Sequence, residues 1–332
     1  MIWPIFIVPL AILIILVGVV YYSLGKRTKI QFVGKHALIT GGSKGIGKEL
    51  ARELILKKCN VSIVARNEND LKEACKELNE ISEKKGYVNK ANWYSADMGG
   101  SSESIEKVIR NAEEKFGSVD ILINNAGVST QAAFCDLPID AFEKQMKINY
   151  LSGVFASRAV IDGMKRKKSG TISFVSSAAG QCAIWGYTAY APSKFAVKGF
   201  AEALNMELSP FNINVSVLYP PNTNTSGFAV ELKEMPEELK IIGSSAGLFE
   251  PDFVAKELIK NIEEGEFATN IGLDGWMLGH LTSGASPEKN LISAFTQIMF
   301  SGLFRLILLC YIGYFNRVVE NLHDKKEKIK KQ

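Results

Sequence analysis

Short apolar runs alternate with longer amphipathic stretches between residues 33 and 275. HALIT (36–40), VSIVAR (61–66), WYSAD (93–97), DILINNAG (120–127), GTISFVSS (170–177) and INVSVLYP (213–220) read as buried strands. Stretches with helical spacing of apolar positions fill the gaps. One ends at Leu56, a polar one covers about 68–85, and others cover 104–116, 139–165 and 191–208. Strands that alternate with helices predict an α/β fold, a parallel sheet with helices on both faces. No internal repeat or low-complexity linker interrupts it, so one domain over residues 33–280 is expected.

The two ends have a different pattern. Residues 1–25, MIWPIFIVPLAILIILVGVVYYSLG, contain no charged side chain, and the run is longer than the roughly 20 residues that cross a bilayer. It reads as an uncleaved transmembrane anchor. A signal peptide would put basic residues before a shorter apolar core. Here Lys26, Arg27 and Lys29 follow the run and nothing basic precedes it, which predicts a cytosolic domain. Residues 291–315, LISAFTQIMFSGLFRLILLCYIGYF, are apolar but hold Arg305 and two glycines. A full span there would carry the lysine-rich tail across the membrane, so a membrane-embedded hairpin or interfacial helix is expected over 290–316. A basic cytosolic tail over 317–332 would follow. Its last residues, KIKKQ, match the K-x-K-x-x pattern of retrieval to the endoplasmic reticulum.

Charge and cysteine usage narrow the classes. Basic and acidic residues number 39 and 35, a net +4 that is too balanced for a nucleic-acid binder. Five scattered cysteines and three distant histidines form no disulfide framework and no metal-ligand cluster.

Chemistry enters at the end of the first strand. TGGSKGIG (40–47) places Gly41, Gly45 and Gly47, with Ser43, Lys44 and Ile46 between them, at a strand-to-helix junction. Glycine there lets a pyrophosphate approach the helix N-terminus, although the spacing differs from GxGxxG. The second strand ends in Arg66 rather than an acid. A guanidinium suits a ribose 2′-phosphate, and Lys44 adds a second cation, so NADPH is favoured over NADH. Asp97, after the third strand, is either a partner for the adenine amino group or a helix cap.

YTAYAPSK (187–194) holds a second constellation. Tyr190 and Lys194 stand four apart at a helix entry and share one face. An ammonium beside a phenol lowers its pKa from about 10, which suits proton transfer to a carbonyl oxygen. Ser177, 13 residues before Tyr190, ends a strand where its hydroxyl can bind the substrate oxygen, with Ser176 as the alternative.

Taken in order, TGGSKGIG, NNAG (124–127), Asn149, Ser177 and Tyr190-x3-Lys194 resemble the short-chain dehydrogenase/reductase family over residues 33–275. The resemblance implies a Rossmann-type doubly wound sheet of seven strands. It implies Tyr190 as general acid, Lys194 on the nicotinamide ribose, Ser177 orienting the carbonyl and Asn149 holding a water in a relay to Lys194. Asn125, Ala126, Gly127 and Asp70 fall in the implied cofactor site. The helices over 139–165 and 191–208 are those through which such proteins pair as dimers or tetramers.

A closer likeness runs through VARNENDL (64–71), VSSAAGQ (175–181), TAYAPSKFAVKGFAEAL (188–204) and LYPPNTNTSGF (218–228). These are similar to the branch of the family that reduces a keto-sphingoid base in sphingolipid synthesis. That likeness implies NADPH-dependent reduction of 3-oxosphinganine, an endoplasmic-reticulum anchor and a cytosolic active site. Pro220-Pro221-Asn222 departs from the family's usual Pro-Gly, and Pro192 from its usual small residue. The competing readings are the same chemistry on a steroid or retinoid, and a non-catalytic NADPH-binding scaffold. Intact Tyr190, Lys194 and Asn149 weigh against the scaffold. The segment from about 222 to 248 reads as the substrate lid.

Overall fold

In the strand His36–Thr40 (β1), Ala37 and Ile39 are buried on one side of the sheet and Leu38 on the other. Ile121 and Ile123 alternate with Leu122 in the same way in Ile121–Asn124 (β4). Strands buried on both faces belong to a sheet covered by helices on both sides. The computed structural model of the chain describes residues 14–24 and 29–331 and has that architecture. Seven parallel strands run in the order β3-β2-β1-β4-β5-β6-β9. The others are β2 (Asn60–Ala65), β3 (Ala91–Ser95), β5 (Gly170–Val175), β6 (Ile213–Tyr219) and β9 (Ala268–Asn270).

Residues Ile14–Ser23 form a short apolar helix, α1, largely exposed. The remainder of the proposed anchor, together with Lys26 and Arg27, lies outside the described residues. Helices α2 (Gly45–Leu56), α3 (Glu68–Lys84) and α10 (Pro251–Glu264) cover one face of the sheet, where Leu50, Leu54, Leu71, Leu78, Leu258 and Ile262 join the core. The other face is covered by α4 (Ser102–Phe116), α6 (Ser152–Lys167) and α7 (Tyr190–Leu208), with Ile105, Ile109, Val160, Met164 and Val197 in its core. Each fully buried Leu or Ile contributes roughly 1.5–3 kcal/mol. Asn67 starts α3 by accepting bonds from the amides of Asn69 and Asp70 at 2.9 and 3.2 Å.

Two of the expected helices carry detail that the sequence pattern does not show. The helix expected over 139–165 is three pieces: α5 (Asp140–Met146), a π-helical turn at Lys147–Leu151, and α6. Widening the turn by one residue re-aims the side chains within it, and Asn149 sits there. Of the hairpin and the interfacial helix expected over 290–316, the segment forms a helix, α12 (Leu291–Lys330), continuous over 40 residues and including most of the basic tail. Gly302 and Gly313 do not break it. Asn290 caps its start, accepting from the amides of Ile292 and Ser293 at 3.0 and 3.4 Å.

The expected lid is pinned at both ends. β7 (Asn222–Thr223) pairs in parallel with β8 (Leu248–Phe249), and between them lie α8 (Ser226–Glu234) and α9 (Glu237–Ser244). After β9, α11 (Gly272–Leu281) leads back toward the same side, and α12 packs against α9 and α11. Lys326 of α12 reaches the buried Glu238 of α9 at 2.5 Å.

Candidate active site

Strand order reverses between β1 and β4, so the loops leaving their carboxyl ends diverge and open a crevice. The glycine loop fills one wall. Gly41 and Gly45 have φ of 68° and 54°, a region where side chains are strained. A Cβ on Gly47 would fall on the Gly41 carbonyl oxygen and lie 2.5 Å from the Asn125 amide nitrogen. Asn125 braces the loop from β4: its side chain donates to the carbonyls of Thr40 and Gly41 at 3.0 and 3.1 Å. The Thr40 hydroxyl accepts from the amides of Asn125 and Ala126 at 3.0 Å each. No side chain caps α2, so its first-turn amides are left facing the crevice. That tight, uncapped helix start suits an incoming pyrophosphate.

A cleft of about 430 Å³ extends from this loop. It is lined by Gly41, Lys44, Ile46 and Ala126 at one end and by Ser177, Tyr190 and Lys194 in the middle. Helix α7 begins at Tyr190, so Pro192 falls in the first turn, where no amide donor is missed. Lys194 is buried, lies over the Tyr190 ring at 5.7 Å from its centroid, and donates to the Val175 carbonyl at 3.0 Å. Burial pulls its pKa down to about 8. Tyr190 keeps part of its surface open to the cleft, with Tyr187 beside it at 5.0 Å between ring centroids. Burial pushes the phenol up, Tyr187 adds to the rise, and the Ser177 hydroxyl works against it. The sequence pattern expects Lys194 to lower this pKa; in this arrangement burial is the largest influence and acts upward, and Lys194 is itself desolvated. A raised phenol stays protonated at neutral pH, the form a proton donor needs.

The serine pair divides its work. The Ser176 side chain is buried and its hydroxyl donates to the Lys194 carbonyl at 2.9 Å, which fastens α7 to the sheet. Ser177 has an extended backbone and starts a single 3-10 turn, accepting from the Ala179 amide at 3.2 Å. Its hydroxyl is the one directed at Tyr190.

Asn149 is committed on three sides. Its side chain accepts from the Val128 amide at 2.8 Å and donates to the Val128 carbonyl and the Ser193 hydroxyl at 2.9 Å each. Ser193 in turn donates to the Tyr190 carbonyl at 2.7 Å. Only one acceptor lone pair of the Asn149 amide is left for a water, so the side chain acts first as a brace for α7. Gly127 stands between Asn149 and Lys194, where a Cβ would lie 3.2 Å from the Asn149 carbonyl oxygen and 3.4 Å from the lysine nitrogen.

Of the charged residues assigned to the adenosine end, Lys44 lines the cleft and Arg66, Asp70 and Asp97 lie outside it. Lys44 pairs with Asp70 at 2.8 Å, and Arg66 is exposed at the end of β2. Asp97 lies beyond the end of β3 and accepts from the Gly99 amide at 2.9 Å, closing its own loop, while Ser101 caps α4. Ser43 lies in the glycine loop and, like Arg66, Asp70, Asp97 and Asn149, is not part of the cleft wall.

The far end of the cleft is apolar, with Phe228, Ile242, Met277, Leu308, Tyr311 and Phe315 among its walls. Three of these come from α12. Glu231 of α8 and Asp274 of α11 are the acids on the cleft wall, and Glu231 accepts from the Gln131 side chain at 2.9 Å. Neither Glu231 nor Gln131 was legible in the sequence. GFAVELKE holds two acids, Glu231 and Glu234, with no periodic signal to tell them apart, and only the fold of the lid brings Glu231 to the cleft wall.

The profile of the short chain dehydrogenase family matches residues 35–236. The chain is 43% identical over 303 residues to 3-dehydrosphinganine reductase of Danio rerio, covering 91% of this chain and 90% of that one. It is equally 43% identical over 297 residues to 3-ketodihydrosphingosine reductase of Mus musculus, covering 89% and 88%. A solved short chain dehydrogenase/reductase family protein superposes with a TM-score of 0.59 at 22% identity, over 72% of this chain and 95% of that one. The sheet order, the braced glycine loop and the Tyr190–Lys194 helix agree with these matches: the chain belongs to the short-chain dehydrogenase family.

Proposed function

We propose that this chain reduces 3-ketodihydrosphingosine to dihydrosphingosine with NADPH, Tyr190 giving the proton. The observation that carries the reading is the two-ended cleft. One end is the braced glycine loop, and the other is an apolar wall built partly from α12. The relatives that share 43% of its residues over nine-tenths of its length are named for this reaction.

Each residue then has a part. Gly41, Gly45, Gly47 and the open start of α2 accept the pyrophosphate, with Ala126 and Gly127 beside the nicotinamide. Arg66 and Lys44 receive the 2′-phosphate, Lys44 turning from Asp70 to do so. When bound, NADPH supplies the hydride to the carbonyl carbon. Ser177 orients the carbonyl oxygen by a hydrogen bond, and the Tyr190 phenol delivers its proton to that oxygen, leaving a secondary alcohol. Lys194 holds the ribose and stabilises the resulting phenolate until it is reprotonated. Asn149, through Ser193, fixes the turn that presents Tyr190.

Helix α12 gives the substrate a route. Phe304, Leu308, Tyr311, Phe315 and Leu322 fall on one face, by helical spacing, and are buried or line the cleft. Ile292, Phe295, Ile298, Met299, Leu303, Leu306 and Leu309 remain exposed. The helix lies along the domain from Ala294 to Lys326, so we read it as an interfacial helix with its outer face in the bilayer rather than a span. A long-chain ketone then enters from the membrane between α12 and the lid. The basic residues that follow the N-terminal run support a location on the cytosolic face of the endoplasmic reticulum.

The test is turnover by the purified full chain in detergent, comparing 3-ketodihydrosphingosine with steroid and retinoid ketones, and NADPH with NADH. Preference for the first member of each pair is expected. Exclusive use of a steroid, or of NADH, overturns the reading.

A further inference from the structure

Glu231 is half-buried in the apolar half of the cleft and makes no ion pair among the described residues. Its fixed partner is the neutral Gln131, whose side-chain nitrogen also donates to the Ser129 hydroxyl at 3.1 Å. The Gln131 carbonyl oxygen is buried with no hydrogen-bond partner. One anionic acceptor, the Glu231 carboxylate, thus faces a largely apolar stretch of the cleft, with the enclosed Gln131 side chain behind it. Enclosing a carboxylate without a cation is costly, and burial accordingly raises Glu231 to about 6. The group is tied to the reacting side of the cleft, since the Gln131 that holds it also bonds Ser129, next to the Val128 that bonds Asn149.

Neither proton delivery nor hydride transfer requires this acid. A substrate with an ammonium next to its carbonyl would use it fully. In 3-ketodihydrosphingosine the amine is on the carbon adjacent to the ketone, so a carbonyl held at Tyr190 brings three N–H donors to the Tyr190 side of the cleft. Steroid and retinoid ketones have no such group. Resting on the function proposed above, we infer that Glu231, held in place by the Gln131 side-chain nitrogen, is the specificity-determining residue that takes the substrate's ammonium.

The full chain in detergent is assayed with NADPH on 3-ketodihydrosphingosine and on the same long-chain 1-hydroxy-3-ketone without the amine. The quantity read is the ratio of kcat/KM for the amino ketone to that for the deamino ketone. Glu231→Gln keeps the shape and removes the charge, and it should lower the ratio about tenfold or more, mainly through KM of the amino ketone. Glu231→Asp should recover part of the preference, and Gln131→Leu should lower it less than Glu231→Gln. NADPH titration by fluorescence shows that each variant is folded. An unchanged ratio in Glu231→Gln, or an equal loss on both ketones, overturns the inference while leaving the reductase reading intact. A wild-type chain that turns over only ketones without an amine overturns both.

Discussion

At the residue scale, the site is built from groups placed where water would not put them. Lys194 is the clearest case, with its pKa drawn from 10.5 to about 8 by burial. The unfolded chain therefore binds the extra proton between about pH 8 and 10.5, so this lysine's burden on stability is full below about 8 and is relieved as pH rises through that window. A shift of that size corresponds to roughly 3 kcal/mol, part of it offset by the bond to Val175. Lys194→Met should abolish turnover yet raise stability at pH 7 by about 1–3 kcal/mol in denaturant unfolding, and the gain should shrink toward pH 10. A variant destabilised at pH 7 would contradict this. Tyr190, Lys194 and Ser177 were legible from spacing because their chemistry depends on a short segment. Two properties were not. The direction of the Tyr190 shift depends on enclosure by Tyr187 and the lid, and the division between Ser176 and Ser177 depends on which hydroxyl meets α7.

At the element scale, the sequence pattern located six of the seven strands because apolar runs buried on both faces are hard to mistake. The seventh, Ala268–Asn270, is three residues long at the sheet edge and carries no such run. The π-helical turn was hidden because its apolar spacing fits an ordinary helix, and its stability comes from tertiary bonds such as those of Asn149. Charges at the adenosine end were legible by identity but not by contact. Lys44 and Asp70 hold one another, a pairing that strand-end reasoning about Arg66 does not anticipate. The glycine loop allows a sharper test. Gly47→Ala puts a methyl group against the Gly41 carbonyl and the Asn125 amide, both parts of the brace. NADPH affinity should fall at least about tenfold and stability by about 1–3 kcal/mol. Retention of both would mean that the loop has room to shift and that the brace is unimportant.

At the scale of the whole molecule, a soluble-type reductase domain is joined to a long apolar helix that is also part of its active-site wall. Composition revealed the helix, since an apolar run of that length is plain in the sequence. Its path was not legible: a hairpin, a span and a surface helix share one hydropathy, and the domain-facing stripe from Phe304 to Leu322 supports the proposed surface helix. If the outer face collects substrate from the bilayer, then Ile298→Lys with Leu306→Lys should reduce activity on ketone carried in vesicles several-fold while activity in detergent micelles is kept. Equal loss in both would assign these residues to folding instead. The ion pair from Lys326 to the buried Glu238 ties the same helix to the lid, so membrane contact and lid position share one element.

The most direct test of the account is Tyr190→Phe in the full chain, measured for turnover of 3-ketodihydrosphingosine and for NADPH binding. Loss of the phenolic proton should lower kcat by about 10²–10⁴-fold while NADPH affinity stays within about twofold. Wild-type turnover in that variant would contradict the mechanism.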